Sequence, residues 1–254
     1  MSVSRLVRPL ALLAFAAAAE LPAQVTYAGG TDPFLTRVGP LASFRGRNMT
    51  DANANQNFFW GKGDLGVAGN RRQVQGNASD WSLTSGIRQI DFRVDWDHLN
   101  NHLTMTFPDG DFNVTGATGG SFADATYPAA NQFRVINVGS FNGLLFDVRT
   151  GCGSLGAARL VSMSVNGGAN LLPGTISSNC ASSQQFANAW FTVNSASSWF
   201  VNGRVEFDPS FGNNEGQRFD WKVYRGTVVP EPSTYVLMAS GLALVGMAAR
   251  RRQA

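Results

Sequence analysis

Residues 90–107 alternate between apolar and polar side chains, and this period of two is the sequence feature that most restricts the fold. Such an alternation places every second side chain on the same face of a β-strand, whereas a helix repeats every 3.6 residues. The alternation pauses at residues 97–102, which predicts a hairpin with its connecting loop there. We expect one face of this hairpin to be buried, the face that carries Ile90, Phe92, Val94, Trp96, Leu103, Met105 and Phe107.

Six further short runs of this kind occur in the chain, and no amphipathic stretch of helix length accompanies them. Gly, Asn, Asp and Ser separate the runs, and these residues are typical of turns. The chain also has 18 Phe and 6 Trp, which two stacked antiparallel sheets would bury between them. We therefore predict an all-β, jelly-roll-like antiparallel β-sandwich over residues 24–227, with a flattened barrel or a β-solenoid as alternatives. The six runs are 133–138, 144–148, 159–165, 189–193, 201–207 and 219–223.

Two segments are predicted to lie outside the regular strands. Residues 48–76 are rich in Asn and Gly, and we interpret them as a long loop with one edge strand at residues 58–60. Residues 227–232 contain two prolines and are predicted to be an exposed linker between the sandwich and the C-terminal tail.

The net charge of +3 belongs to the two ends of the chain. Five of the 20 Lys and Arg and two of the 17 Asp and Glu lie in the terminal segments, which leaves 15 of each sign in the middle. Proteins that bind nucleic acid concentrate Lys and Arg on the folded domain to neutralise phosphates. The composition therefore argues against binding to DNA or RNA.

Residues 1–23 have the organisation of a secretory signal peptide. Arg5 and Arg8 give a positive start, an apolar run covers residues 10–19, and small residues precede Gln24. The apolar run is about half of the roughly 20 residues that a helix needs to span a bilayer. We expect cleavage after Ala23, with Ala19 as the alternative position.

The C-terminal tail has three parts in a fixed order. A short motif, Pro230-Glu231-Pro232, is followed by an uncharged apolar run over residues 235–249 and then by Arg250, Arg251 and Arg252. The prolines keep the motif extended, because proline cannot continue a helix. The apolar run predicts a transmembrane helix, and the arginines are expected to stop it on the cytoplasmic side.

This tail resembles the PEP-CTERM sorting signal of surface proteins from Gram-negative bacteria. The resemblance covers residues 228–254 and implies processing by exosortase, a membrane-embedded enzyme. It also implies export, anchoring in the envelope membrane before processing, and a final position at the cell surface or outside the cell. It implies nothing about the activity of residues 24–227.

Cys152 and Cys180 are the two cysteines, and the signal peptide predicts an oxidising compartment in which thiols pair. A disulfide between them would close a loop of 28 residues. In the chain-entropy account such a loop stabilises the fold by about 3 kcal/mol. The alternative, a reactive thiol, has no charged neighbour in Gly151-Cys152-Gly153-Ser154 to lower its pKa.

No resident metal or other cofactor is predicted, although calcium stays an alternative. Residues 109–113 have the Asp-x-Asp-x-Asn spacing that begins a calcium loop, but Val114 replaces the following Gly and the distal Glu is absent. The same residues suit a hairpin turn. The weak calcium candidates are Asp95, Asp97, Asp109 and Asp111.

His98 and His102 are spaced as in the zinc motif His-Glu-x-x-His. Leu99 stands at the position of the general-base Glu, and the pair falls in a hairpin loop where residues four apart share no helical face. We interpret both as exposed polar turn residues.

Carbohydrate binding would use exposed aromatic rings, on which sugar rings stack. Trp81 and Trp199 adjoin Ser or Asp and are the better candidates for exposure, whereas Trp96 and Trp221 lie in the apolar phase of their strands. We favour packing in the core for all of them, with Trp81 and Trp199 kept as possible ligand contacts.

Glycoside hydrolysis would need two carboxyl groups about 5–9.5 Å apart. Glu206-Phe207-Asp208 resembles part of the Glu-x-Asp-x-x-Glu strand of laminarinase-like hydrolases, but Phe211 stands at the last Glu position. No catalytic residue is therefore predicted. Our hypothesis is an exported, non-enzymatic structural protein associated with envelope components or exopolysaccharide. A carbohydrate-binding module is the first alternative, and a glycoside hydrolase is the second.

Overall fold

The structure, a computed structural model, describes residues 25–47, 56–67, 71–76, 83–84, 86–109, 124–129, 131–150, 157–179, 186–208 and 218–228, together with Ser240 and Leu242. Fifteen β-strands lie in these ranges. They are β1 (Val25–Gly29), β2 (Phe34–Arg47), β3 (Gln56–Lys62), β4 (Arg72–Gly76), β5 (Leu83–Thr84), β6 (Ile87–Asp97), β7 (His102–Thr106), β8 (Ala125–Ala129), β9 (Gln132–Val135), β10 (Gly143–Arg149), β11 (Ala157–Val165), β12 (Ile176–Asn179), β13 (Phe186–Val193), β14 (Trp199–Phe207) and β15 (Arg218–Val228).

The strands form two antiparallel sheets, which confirms the prediction of an all-β sandwich. Sheet A has the strand order β1-β13-β10-β15-β2-β3-β4. Sheet B has the order β12-β11-β14-β6-β7-β9-β8, and β5 also pairs with β6. Neighbours in the sheets are often far apart in the sequence, as β15 and β2 are, so the fold depends on long-range pairing.

The alternating residues 90–107 form the hairpin that the sequence predicts. Strands β6 and β7 pair up to Asp97 opposite His102, and residues 98–101 make the turn. The apolar side chains of the predicted inner face are at most 3% exposed. The period of two is therefore the direct cause of the buried face.

Aromatic rings from both sheets fill the space between them. Phe58 of sheet A lies 4.2 Å from Phe133 of sheet B, measured between ring centroids. Phe92 of sheet B stacks on Phe146 of sheet A at 5.3 Å and an interplanar angle of 11°. Removing an apolar side chain of this size from water contributes about 1.5–3 kcal/mol, so this interface is the main hydrophobic core.

The segment 48–76 differs from its prediction. Strand β3 does cover residues 58–60, but it pairs with β2 on one side and β4 on the other, so the prediction of an edge strand was wrong. The edge belongs to β4, whose short polar sequence hides the strand pattern; its Val74 is fully buried. Tertiary pairing overrides the weak local propensity here.

The long strand β2 was not predicted either, because its Gly39-Pro40 pair and its charged residues interrupt the alternation. Strand β15 extends to Val228, so Thr227, predicted to begin the linker, belongs to a strand, and the rest of the predicted linker beyond Val228 lies outside the described residues.

Gly203 provides a test of the core packing. It lies opposite Phe92 in the register of β14 and β6, and a Cβ at this position would meet ring carbons of Phe92 at 2.7 and 2.9 Å. Phe92 is 1% exposed, and its ring lies 5.3–6.5 Å from the ring centroids of Phe146, Trp221 and Phe219. Gly203→Ala is therefore expected to lower the free energy of unfolding by about 1–3 kcal/mol, measured by chemical denaturation.

Gly174 is the matched control for this prediction. A Cβ there would meet no atom within 4 Å, and the position is exposed. Gly174→Ala should leave stability unchanged or raise it slightly, because alanine reduces the entropy of the unfolded chain. Equal losses for the two variants would contradict the close packing of Phe92 on Gly203.

Candidate anion-binding surface

The outward face of sheet A carries a network of charged side chains. In β15 the inward side chains are Phe219, Trp221 and Val223, so that Arg218, Asp220 and Lys222 point outward. Strand β10 contributes Asp147 and Arg149 to the same face, and β2 contributes Arg45 and Arg47. The register brings all seven side chains together on three adjacent strands.

Asp220 is the centre of this network. Arg45 donates from Nε to Oδ1 at 2.6 Å and from Nη2 to Oδ2 at 2.9 Å, which is a bidentate pair. Lys222 Nζ lies 3.0 Å from Asp220 Oδ2 and 2.8 Å from Asp147 Oδ2, so it bridges the two carboxylates. Arg218 Nε is 3.6 Å from Asp220 Oδ2.

Burial makes these contacts energetically important. Asp220 is 0% exposed, and burial alone would raise its pKa. The hydrogen bonds from Arg45 and the charges of Lys222, Arg45 and Arg218 outweigh burial, so the pKa of Asp220 is lowered and the group stays ionised. Burial and the charge of Asp220 raise the pKa of Asp147.

A second row on this face consists of three arginines. Arg149 lies directly opposite Arg218, and Arg218 lies directly opposite Arg47. Adjacent strands are about 4.8 Å apart, so the row extends over about 10 Å. We call Arg149, Arg218 and Arg47 the arginine row.

Aromatic rings support both ends of the arginine row. The guanidinium of Arg149 lies 4.7 Å from the ring centroid of Phe186, and that of Arg47 lies 5.6 Å from the ring of Phe59. Such cation–π contacts fix a guanidinium while its N–H groups remain able to donate. The row is therefore partly organised by the fold.

Charges of both signs surround Arg218, namely Asp220 and Asp147 on one side of the balance and Arg45 and Arg149 on the other. Burial, with the nearby charges of Arg45 and Arg149, lowers the pKa of Arg218 despite the opposing effect of Asp220. Within the described chain, the buried Nε atoms of Arg149 and Arg218 make no hydrogen bond. Buried polar groups usually have partners, so these two atoms mark a place where an acceptor would be favourable.

On the described outward face of sheet B, by comparison, positive and negative side chains are equal in number. Arg204 forms a bidentate pair with Asp91 at 2.6 and 2.8 Å, and Arg93 pairs with Asp95 at 2.7 Å. On the outward face of the described strands of this sheet, four arginines match four acids; these are Arg93, Arg134, Arg159 and Arg204 with Asp91, Asp95, Asp97 and Glu206. In the network around Asp220 and the arginine row, the outward face of sheet A has five cations and two carboxylates. The neutral middle of the sequence therefore folds into one balanced face and one basic face.

Two of the calcium candidates, Asp95 and Asp97, lie side by side on the outward face of β6, and each has a hydrogen-bonding partner within the protein. Asp95 pairs with Arg93, and Asp97 accepts hydrogen bonds from the Asn100 side chain at 2.6 Å and from the Leu99 N–H at 3.1 Å. The bonds from Asn100 lower the pKa of Asp97, which acts as the cap of its own turn. Asp109 is exposed, and Asp111 lies outside the described residues. In the described ranges no group of three or more His, Cys, Asp or Glu is positioned to hold a metal ion.

Of the two candidate tryptophans, the structure describes only Trp199. Trp199 is 3% exposed and packs edge-on against Phe141 at 6.1 Å. Trp199 is therefore a core residue, and its ring has no open face on which a sugar could stack. Trp81 lies outside the described residues. The five tryptophans that the structure does describe, Trp60, Trp96, Trp190, Trp199 and Trp221, are all at most 3% exposed.

The predicted disulfide is not tested, because Cys152 and Cys180 lie outside the described residues. It stays a prediction.

Glu206, the carboxylate considered for glycoside hydrolysis, lies on the outward face of sheet B. Its Oε1 accepts a hydrogen bond from Gln89 Nε2 at 2.8 Å.

Sequence reasoning did not find the arginine row, because its members are distant in the chain and only the strand register joins them.

The sandwich ends where the C-terminal tail begins. Val228 is the last residue of β15, and Pro230-Glu231-Pro232 follow after one residue. A family profile for the PEP-CTERM protein-sorting motif matches residues 228–252. The C-terminal tail is a PEP-CTERM sorting signal. A comparison with curated proteins finds no match to the chain.

The PEP-CTERM signal determines the route of the protein. It indicates export and sorting through exosortase, with the sorting signal anchored in a membrane. The apolar run 235–249 and the predicted signal peptide lie outside the described residues, apart from Ser240 and Leu242. Among the residues that are described, no helix is long and apolar enough to cross a bilayer.

Proposed function

We propose that this protein is a non-enzymatic component of the Gram-negative envelope or extracellular matrix, which attaches to acidic exopolysaccharide through the arginine row. The observation that carries this proposal is the surplus of cations on the outward face of sheet A. Planar guanidinium groups match carboxylates through paired N–H donors, so a polysaccharide with regularly spaced uronic acids is the expected ligand class.

The energetics of the row also favour an anionic ligand. Three guanidiniums on neighbouring strands repel one another, while burial is the main cause of the lowered pKa of Arg218 and the charges of Arg45 and Arg149 add to it. A bound carboxylate would relieve this repulsion and accept hydrogen bonds from the row. The ligand would therefore stabilise the folded domain as well as attach it.

The position of the row suits a protein that is first held by its C-terminus. Arg218 begins β15 and Val228 ends it, so about 33 Å of strand separate the row from the tail. While the sorting signal anchors the chain, the row lies at the end of the sandwich farther from the tail. A matrix polymer outside the membrane would meet that end first.

The buried tryptophans argue against the main alternative. A module for neutral sugars uses open aromatic faces, and the tryptophans in the described residues are packed in the core. Charge recognition is therefore the better supported way of contacting a polysaccharide.

Binding to polygalacturonate, a polymer of uronic acid, tests the proposal. Purified chain from residue 24 to residue 228 should bind it saturably by calorimetry, and should bind neutral dextran much more weakly. Arg149→Gln and Arg218→Gln should each weaken binding roughly tenfold, since one charge-assisted hydrogen bond contributes about 1.5 kcal/mol or more. The affinity should also fall as salt is raised.

Arg134→Gln on sheet B is the matched control, because it removes the same charge from the balanced face. It should leave the affinity unchanged. An equal loss for Arg134→Gln would contradict a defined site. Binding that survives the row variants but disappears with a calcium chelator would instead support the calcium alternative at the aspartates.

A further inference from the structure

Beyond the sheet proper, β2 and β15 continue together as a two-stranded ribbon. The pairing of β10 with β15 stops at Tyr224, and the pairing of β3 with β2 stops at Ala42. Residues 34–38 and 225–228 pair only with each other, from Val38 opposite Arg225 to Phe34 opposite Val228. We call these residues the terminal ribbon.

The terminal ribbon is held firmly against the sandwich. Asn142 donates from Nδ2 to the Gly226 carbonyl at 2.7 Å and accepts from the Gly226 N–H at 2.9 Å. Phe34 is 8% exposed and packs against Trp190, with 6.0 Å between their ring centroids. Its ring also occupies the space where a side chain at Gly143 would be. The ribbon therefore has one orientation relative to the domain.

The solvent side of the terminal ribbon is unusually apolar. Leu35 is 67% exposed, Val38 is 66% exposed and Val228 is 37% exposed. Of the six large apolar side chains that stand exposed in the described part of residues 25–228, three lie on this short ribbon. Arg225, directly opposite Val38, adds a cation to the same surface. Apolar and cationic side chains together are typical of surfaces that contact anionic lipids.

The tail limits how far the ribbon can be from the membrane. Six residues, 229–234, connect Val228 to the apolar run that begins at Tyr235. Even fully extended, this connection spans at most about 25 Å. Before processing, the ribbon is thus confined near the bilayer surface at a high effective concentration, so that a weak contact is sufficient.

We propose that the terminal ribbon docks on the anionic bilayer surface while the sorting signal is still attached, with Leu35 and Val38 inserted among the lipid headgroups. The short connection and the exposed apolar side chains carry this inference, which does not depend on the polysaccharide proposal. Docking presents the ribbon to the membrane and directs the arginine row away from it. Removal of the tail ends the confinement and releases the domain.

Photochemical crosslinking of the full chain tests the docking. The chain, with its tail intact, is reconstituted in vesicles of phosphatidylglycerol and phosphatidylethanolamine. A diazirine-bearing leucine analogue replaces Val38, or in the control replaces Leu99, which is 89% exposed in the β6–β7 turn at the same end of the sandwich but outside the ribbon. Mass spectrometry then measures the fraction of each probe that is crosslinked to lipid.

We expect several-fold more lipid adducts at position 38 than at position 99. Leu35→Ser should reduce the adducts at position 38, whereas Val67→Ser, an exposed apolar residue of another loop, should not. Because these side chains are exposed, their replacement leaves the fold intact. Equal lipid labelling at both positions would overturn the proposal, and so would adducts at position 38 to a second copy of the chain in place of lipid. The Arg218→Gln variant should label lipid normally, which separates this test from polysaccharide binding.

Discussion

Replacing the buried carboxylate at the centre of sheet A, Asp220→Asn, is expected to lower the free energy of unfolding by about 3–5 kcal/mol, because buried cations lose their counter-charge. Asp220 is fully buried, and its partners Arg45 and Lys222 expose only 11% and 15% of their side chains. Asn keeps the shape of the side chain but removes its charge. Urea denaturation of the chain from residue 24 to residue 228 measures the loss.

The protein contains a matched control for this change. Arg204 and Asp91 form a bidentate pair at 2.6 and 2.8 Å, nearly the same geometry as Arg45 and Asp220 at 2.6 and 2.9 Å. Their side chains, however, are 41% and 36% exposed. Asp91→Asn should cost only about 0–1 kcal/mol, because water screens an exposed pair. Similar losses for Asp91→Asn and Asp220→Asn would show that burial is not the deciding factor.

The same pair predicts a dependence on pH. The pKa of Asp220 in the folded protein is below its ordinary value of 3.8, so its stabilising contribution is complete above that value. This contribution is lost as the pH falls below about 4 toward the folded pKa, since the unfolded state then binds more protons. Asp220→Asn should remove that part of the acid sensitivity. The measurement is the change in unfolding free energy between pH 6 and pH 3, which lie about one unit or more to either side of the ordinary pKa.

Replacing the sorting motif is expected to block processing nearly completely. With Pro230→Ala, Glu231→Ala and Pro232→Ala combined, exosortase loses the motif that defines its substrates, and the segment gains helix propensity that would join it to the apolar run. The uncleaved chain should accumulate in the membrane fraction of the producing cell. Immunoblots of membrane, surface and medium fractions, with mass spectrometry of the C-terminus, measure the change.

Two residues beside the motif supply the control for this experiment. Ser233→Ala and Thr234→Ala alter the connection to the apolar run but leave Pro230-Glu231-Pro232 intact. They should be processed like the natural chain. Normal processing of the triple variant would show that the motif is not what the enzyme recognises here.

The hairpin and the strand β2 show what local pattern can and cannot predict. Strands β6 and β7 alternate without interruption, so their buried face follows from the sequence directly. Strand β2 is longer, yet Gly39, Pro40 and several arginines break its alternation. Its charged outward positions make sense only beside Asp220 of β15, which lies 175 residues from Arg45.

The candidate site depends even less on local sequence pattern than strand β2 does. The polar neighbours of Trp199 made it a candidate ligand contact beside the packing interpretation, and the structure packs that ring against Phe141. Nothing local distinguishes Arg47, Arg149 and Arg218, each of which is the first or last residue of its strand. Their common face exists only because three strands from distant parts of the chain pair in one register.

By itself, the sequence determined the all-β class and the PEP-CTERM route, because both depend on neighbouring residues: a period of two for the strands, and a motif, apolar run and basic stop for the tail. Only the tertiary structure decided which strands pair, where the charges gather and which end of the sandwich holds the tail. The physical reason is that register is a long-range property. A neutral chain can fold into one balanced face and one basic face, and composition alone does not distinguish the two.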